Sequence, residues 1–286
     1  MKTTTAVVLL ACAFAAGTAH AAGAARFPDE IPVMPPDKII NGHRIGIEKN
    51  PWQVAILTYR DASGRPYLCG GSLIDTKWIL TAAHCFVATG DHCRPSQAAT
   101  DDVAVYLGNA KYDVLTAVRG GIRHVFVHPK YCHLANNVEI NDIALIELNR
   151  PVAATTKTKT ISLYTGANPV EGTNLIISGW GVTEEKGRYQ SQNLMAAYVP
   201  YVSNARCNGQ DSYNGNILPS MLCAGGGKAD TCRGDSGGPL VIADGNRDNL
   251  IGITSFGDGC GQERKYGVYT RISVFRPWIR DTISRN

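Results

Sequence analysis

Short apolar runs separated by turn-forming residues recur along most of the chain, and their length is that of strands. The clearest are Gln53-Val54-Ala55-Ile56-Leu57, Trp78-Ile79-Leu80, Val103-Ala104-Val105-Tyr106-Leu107, Ile143-Ala144-Leu145-Ile146-Glu147-Leu148, Leu175-Ile176-Ile177 and Leu250-Ile251-Gly252-Ile253. With 30 glycines in the chain and few long helical patterns, this spacing predicts an all-β barrel or sandwich. The C-terminus departs from it. There Phe275, Trp278, Ile279 and Ile283 fall at i, i+3, i+4 and i+8, the apolar stripe of one amphipathic helix.

The first residues follow another logic. Lys2, the apolar run from Ala6 to Ala16, and the small residues of Ala19-His20-Ala21 read as an export signal over 1–21, cut before Ala22. The run is too short to span a bilayer, and no later stretch is long and apolar enough, so a secreted protein without a membrane partner is expected. Leu9-Leu10-Ala11-Cys12 resembles a lipidation site, but the apolar segment before Cys12 is too short to favour that reading. Residues 24–38 hold Pro28, Pro32, Pro35 and Pro36 with no helical or strand period, as in a short extended segment.

Composition narrows the function. The chain is 44% hydrophobic, enough for a substantial core. Its net charge of +4 comes without the dense Lys/Arg clustering that a nucleic-acid partner requires. Length alone would suggest two domains, but all-β folds of about 200–250 residues often form one. Of nine cysteines, Cys12 belongs to the export signal, and the even remainder in an exported chain points to disulfides.

Three segments carry candidate chemistry. Gly234-Asp235-Ser236-Gly237-Gly238-Pro239 is by itself an ordinary glycine-rich turn, yet glycines this close to Ser236 let backbone amides approach a substrate carbonyl. Thr81-Ala82-Ala83-His84-Cys85 holds a histidine that taken alone reads as a core residue. Asn141-Asp142-Ile143-Ala144-Leu145 sends a carboxylate into an apolar strand, where it needs a partner. The three together, in the order His, Asp, Ser, are far more specific than any one.

With Cys69-Gly70-Gly71-Ser72-Leu73-Ile74, Ser178-Gly179-Trp180-Gly181 and Gly267-Val268-Tyr269-Thr270, these segments resemble the trypsin-like serine proteases of the chymotrypsin family, from Ile39 to the C-terminus. The resemblance implies two six-stranded antiparallel β-barrels with a C-terminal helix, and an active site in the cleft between them. It implies a catalytic triad of Ser236 as nucleophile, His84 as base and Asp142 as orienting carboxylate, the arrangement the general serine-protease template describes. It places the oxyanion hole at the amides of Gly234 and Ser236, and Ser255 beside Asp142. Asp230, six positions before Ser236, closes a primary pocket with Thr231 beside it and Gly257 and Gly267 on its walls. That pocket implies cleavage after lysine or arginine. The resemblance further implies cutting after Lys38, so that the new ammonium of Ile39 pairs with Asp235, dividing the chain into signal 1–21, propeptide 22–38 and peptidase 39–286.

The implied disulfides are Cys69–Cys85, Cys207–Cys223 and Cys232–Cys260. Cys93 and Cys132 are left, and are expected to pair with each other. A small zinc site with His92 and His133 is the competing reading, which export disfavours. The departures are Phe256 where Trp is usual, Thr231 where Ser is usual, Tyr266 at a position that is Tyr in sodium-binding members, and a short 109–117 loop without calcium-binding glutamates. No cofactor and no metal are expected. The expected partners are protein or peptide substrates with Arg or Lys before the cut, and protein protease inhibitors, acting on a monomer. Glu139 and Asp258, if both face the cleft, imply a mild preference for basic residues upstream of the cut. The alternative is a catalytically inactive homologue acting as a binding or adaptor protein, which retention of all three triad residues disfavours.

Overall fold

The computed structural model describes residues 42–59, 66–87, 93, 100–111, 118–134, 136–187, 189–227, 229–245 and 247–286. The expected signal, the propeptide, Lys38 and Ile39 lie outside the described residues, as do His92 and residues 112–117. In the first half the strands are β1 (His43–Arg44), β2 (Gln53–Thr58), β3 (Tyr67–Asp75), β4 (Trp78–Thr81), β5 (Val103–Leu107), β6 (Val118–Gly120), β7 (Ile122–Val127), β8 (Cys132–His133), β9 (Glu139–Ile140) and β10 (Ala144–Leu148). In the second half they are β11 (Ser162–Leu163), β12 (Asn174–Gly179), β13 (Met195–Val202), β14 (Met221–Gly225), β15 (Pro239–Asp244), β16 (Arg247–Phe256) and β17 (Tyr266–Arg271). A short helix α1 (Asn204–Cys207) lies between β13 and β14, and α2 (Ile272–Arg285) ends the chain.

The strands form the two expected barrels. One sheet runs β6-β5-β2-β3-β4-β10-β7. Gly121 alone separates β6 from β7, so one bent stretch of chain supplies both outer strands and brings the sheet close to closure. The other runs β13-β12-β15-β16-β17-β14 and closes through a β13–β14 pairing, while β1 adds to β13 and β11 joins β16 in parallel. Closure removes the open edges that would otherwise template aggregation.

The continuous apolar runs have a packing reason. In β2, Val54 and Ile56 enter the first barrel's core with Leu73, Ile79 and Leu145. Ala55 and Leu57, on the opposite face, pack with Trp180 and Leu194 of the second half. A strand buried on both faces cannot alternate apolar with polar. Polar ties also cross between the halves: Asn50 Nδ2 donates to Ser178 Oγ at 2.8 Å, and that hydroxyl donates to Gln53 Oε1 at 2.7 Å. The amphipathic stripe of α2 behaves as its period predicts, with Ile272, Phe275 and Ile279 buried in the first barrel's core cluster and Trp278 and Ile283 packed beside them.

Candidate active site

His84 lies in a single 3₁₀ turn, Ala83–Cys85, directly after β4. The Cys69–Cys85 disulfide ties that turn to β3. Asp142 leads into β10, whose register sets Ala144 opposite Thr81 at the end of β4, so neighbouring strand ends bring the two side chains together. Asp142 Oδ2 is 2.8 Å from His84 Nδ1, and Oδ1 accepts the backbone N–H of His84 at 2.9 Å. The second barrel completes the cradle. Ser255 Oγ donates to Asp142 Oδ2 at 2.5 Å, and Thr270 Oγ1 donates to the Asp142 carbonyl at 2.7 Å.

The electrostatics follow from this geometry. Burial works to raise the Asp142 pKa, but the adjacent His84 and the hydrogen bonds to the carboxylate outweigh it and hold the pKa below the ordinary range. For His84, burial disfavours the imidazolium. The Asp142 carboxylate wins, with smaller contributions from Tyr67 and Glu139, so the pKa rises above its ordinary 6.5.

Ser236 sits in the turn before β15. Its carbonyl accepts the Gly70 N–H at 2.7 Å and lies 3.9 Å from Cys85 Sγ, which anchors the turn beside the His84 segment. Ser236 Oγ is 3.4 Å from the Tyr67 hydroxyl. Glycine is needed on both sides of it. Gly234 and Gly237 have φ of +100° and +76°, and a Cβ on Gly237 would lie 2.6 Å from the Gly70 carbonyl oxygen.

A cavity of about 160 Å³ is lined by Ser236, Asp230, Thr231, Gly257 and Gly267, together with the disulfide-bonded Cys232 and Cys260. Asp230 is 3% exposed and accepts the backbone N–H groups of Thr231 at 2.8 Å and Gly261 at 2.9 Å. Burial dominates its titration and pushes its pKa up to about 7. A Cβ at Gly267 would come within 3.1 Å of Asp230 Oδ1, so the bare glycine keeps the carboxylate accessible. Asp235 is not among the residues that line this cavity. Its carboxylate, 1% exposed, accepts from Gly181 N at 2.8 Å and Cys232 N at 3.0 Å, and burial raises its pKa to about 6. Among the described residues no cation pairs with it.

All four expected disulfides are present: Cys69–Cys85, Cys93–Cys132, Cys207–Cys223 and Cys232–Cys260. A sulfur locked in a disulfide cannot serve as a thiolate ligand. The zinc reading at Cys93 and Cys132 therefore loses its sulfur donors, and the grouping of His84 with Cys69 and Cys85 is a disulfide beside an imidazole. His133 instead contacts Glu139 Oε1 through Nδ1 at 2.7 Å, and the Tyr131 hydroxyl donates to Glu139 Oε2 at 2.7 Å. Asp258 is paired with Lys265 Nζ at 2.6 Å, which compensates the charge expected to act on the cleft. Two contributors escape a sequence reading: Thr270 and Tyr67. Thr270 closes a quoted motif, but only the pairing of β17 with its neighbours shows which group its hydroxyl meets. Tyr67 lies two residues before Cys69, and strand alternation was the sole signal that it shares that residue's face.

A family model described as Trypsin matches residues 39–279. The chain is 36% identical over 274 residues to human Serine protease 1, covering 93% of this chain and 95% of that protein. It is 35% identical over 255 residues to pig Trypsin, covering 87% and 97%. Mouse Transmembrane protease serine 11E is 39% identical over 247 residues, which is 85% of this chain and 54% of that protein, so the chain spans about half of that relative. Among the described residues no helix is long and apolar enough to cross a membrane.

Proposed function

The chain belongs to the trypsin family of serine proteases, and from that premise we propose that it is a secreted endopeptidase, activated by cleavage after Lys38, that hydrolyses peptide bonds following arginine or lysine. The observation that carries this reading is the cavity with Ser236 and a buried carboxylate, Asp230, on one lining. At 3% exposure a carboxylate is costly unless a cation meets it, and the two backbone N–H groups it accepts leave lone pairs for a lysyl or arginyl head group.

The chemistry then runs on the groups around it. Ser236 Oγ attacks the substrate carbonyl while its proton passes to His84 Nε2. Asp142 fixes the tautomer through Nδ1 and stabilises the imidazolium. The amides of Gly234 and Ser236 receive the oxyanion, and loss of such a donor typically costs about 10²–10³ in rate. His84 returns the proton to the leaving amine, and water repeats the cycle on the acyl-enzyme. In the activation step the Ile39 ammonium neutralises Asp235. A buried carboxylate that, among the described residues, accepts from two amides is an acceptor for that charge, and the Cys232 N–H ties it to the 232–236 turn.

The test is turnover of an arginyl amide by protein whose N-terminus has been trimmed to Ile39. Turnover is expected from wild type and not from Ser236→Ala. A trimmed wild-type protein without turnover would overturn the reading.

A further inference from the structure

Arg233 is the cation on the lining of the Asp230 cavity, and no part of the chemistry above uses it. It immediately precedes Gly234 and is exposed, so it stands at the rim and not at the floor. Its Nη2 donates to the backbone carbonyls of Gly187 at 2.7 Å and Glu185 at 3.3 Å. These anchors, on the exposed turn at 184–187, are neutral. The Glu185 carboxylate is engaged elsewhere, by Gln262 Nε2. Among the described residues no carboxylate pairs with Arg233.

A guanidinium has five N–H donors in a rigid fork. With Nη2 spent on the turn, the edge formed by Nε and Nη1 meets no acceptor among the described residues and keeps the full charge. Such an edge binds a carboxylate in two parallel hydrogen bonds. Fixing the side chain beforehand lowers the entropy lost when a ligand arrives.

We propose that Arg233 is a specificity-determining residue that selects substrates with an aspartate or glutamate within two residues of the cut bond. The reasoning rests on the peptidase reading of the cleft. A basic side chain descending to Asp230 carries its own backbone past the rim, and the side chains of its neighbours are the ones that meet Arg233. The cleft is then polarised, with Glu139 near His84 on the first barrel and Arg233 on the second. Substrates of mixed charge around a basic residue fit it better than uniformly basic ones. The bland alternative is that Arg233 only clamps the 184–187 turn.

The experiment uses the trimmed enzyme and matched peptides with a single arginine, carrying Asp, Ala or Lys at each of the two positions on either side. The readout is the Asp-to-Ala ratio of kcat/KM within each variant, which cancels any general loss of activity. Wild type should show a ratio of about five to ten at one or more positions at low salt, shrinking towards one at high salt as a rim charge is screened. Arg233→Gln should bring the ratio near one, and Arg233→Glu should invert it in favour of Lys. Equal ratios in wild type and Arg233→Glu would overturn the proposal and leave the clamp. Binding of the same peptides to Ser236→Ala reads the selectivity without turnover. Tighter binding of the Asp peptides there, with no cleavage by wild type, would uphold Arg233 while refuting the peptidase reading.

Discussion

Replacing Asp230 with asparagine removes one charge at nearly constant volume and tests the specificity assignment at its root. Asp230 is 3% exposed and spends two acceptor positions on Thr231 and Gly261. A lysyl or arginyl side chain entering the variant would be desolvated against a neutral amide. Leaving one member of a buried pair uncompensated costs about 3–5 kcal/mol, or about 10²–10⁴ in kcat/KM. A pH signature accompanies the loss. Because burial lifts Asp230 to about 7, its ionisation should add to that of His84 as acidity falls. The logarithm of kcat/KM on an arginyl amide should then climb with a slope near two on the acid limb in wild type, and near one in the variant. The assay is steady-state hydrolysis of arginyl and leucyl amides by both trimmed proteins from pH 5 to 9. The leucyl substrate controls for damage to the fold, and its hydrolysis should not fall in proportion. Arginyl hydrolysis by Asp230→Asn within tenfold of wild type would refute the reasoning.

Other outcomes are equally specific. Lys38→Gln should yield a precursor that trypsin treatment cannot convert, read by N-terminal sequencing for Ile39-Ile40-Asn41-Gly42 and by arginyl amide turnover; full activity with an uncut N-terminus would remove the activation step. In the uncut precursor Asp235 has a pKa of about 6 against an ordinary 3.8, so the folded form keeps a proton that the unfolded chain has already lost between those values. Stability should therefore fall by about 2 kcal/mol as pH rises from 4 to 6, and Asp235→Asn should flatten that dependence in urea titrations. Activity on any substrate should rise with pH as His84 loses its proton, because its raised pKa holds the base in the unreactive form at low pH; a rate falling from pH 6 to 8 would contradict the role given to His84.

Much of the architecture was legible because barrel strands buried on both faces leave unmistakable apolar runs, and β2, β5 and β10 fall where those runs lie. The small strands were not. β8 and β9 are two residues each, and their pairing of Cys132 with Ile140 depends on tertiary placement and not on local pattern. Within the site, His84 and Ser255 both lie within hydrogen-bond reach of Asp142, and Ser236 lines the same cavity as Asp230. Groups that act through backbone geometry stayed hidden: the Gly181 amide on Asp235, the Gly261 amide on Asp230, and the carbonyls that hold Arg233. Charge pairing was similarly opaque, since nothing local in the chain announces that Lys265 neutralises Asp258 while Arg233, among the described residues, meets backbone carbonyls.

The central claim is that Ser236 becomes a reactive nucleophile once the chain starts at Ile39, and covalent labelling tests it most directly. Trimmed protein should take up one equivalent of an organophosphate-type serine reagent, mapped by mass spectrometry to the peptide holding Gly234-Asp235-Ser236-Gly237. The uncut precursor and His84→Ala should label far more slowly. A folded, correctly trimmed wild-type protein that fails to label at Ser236 would contradict the account and favour a binding protein on a protease scaffold.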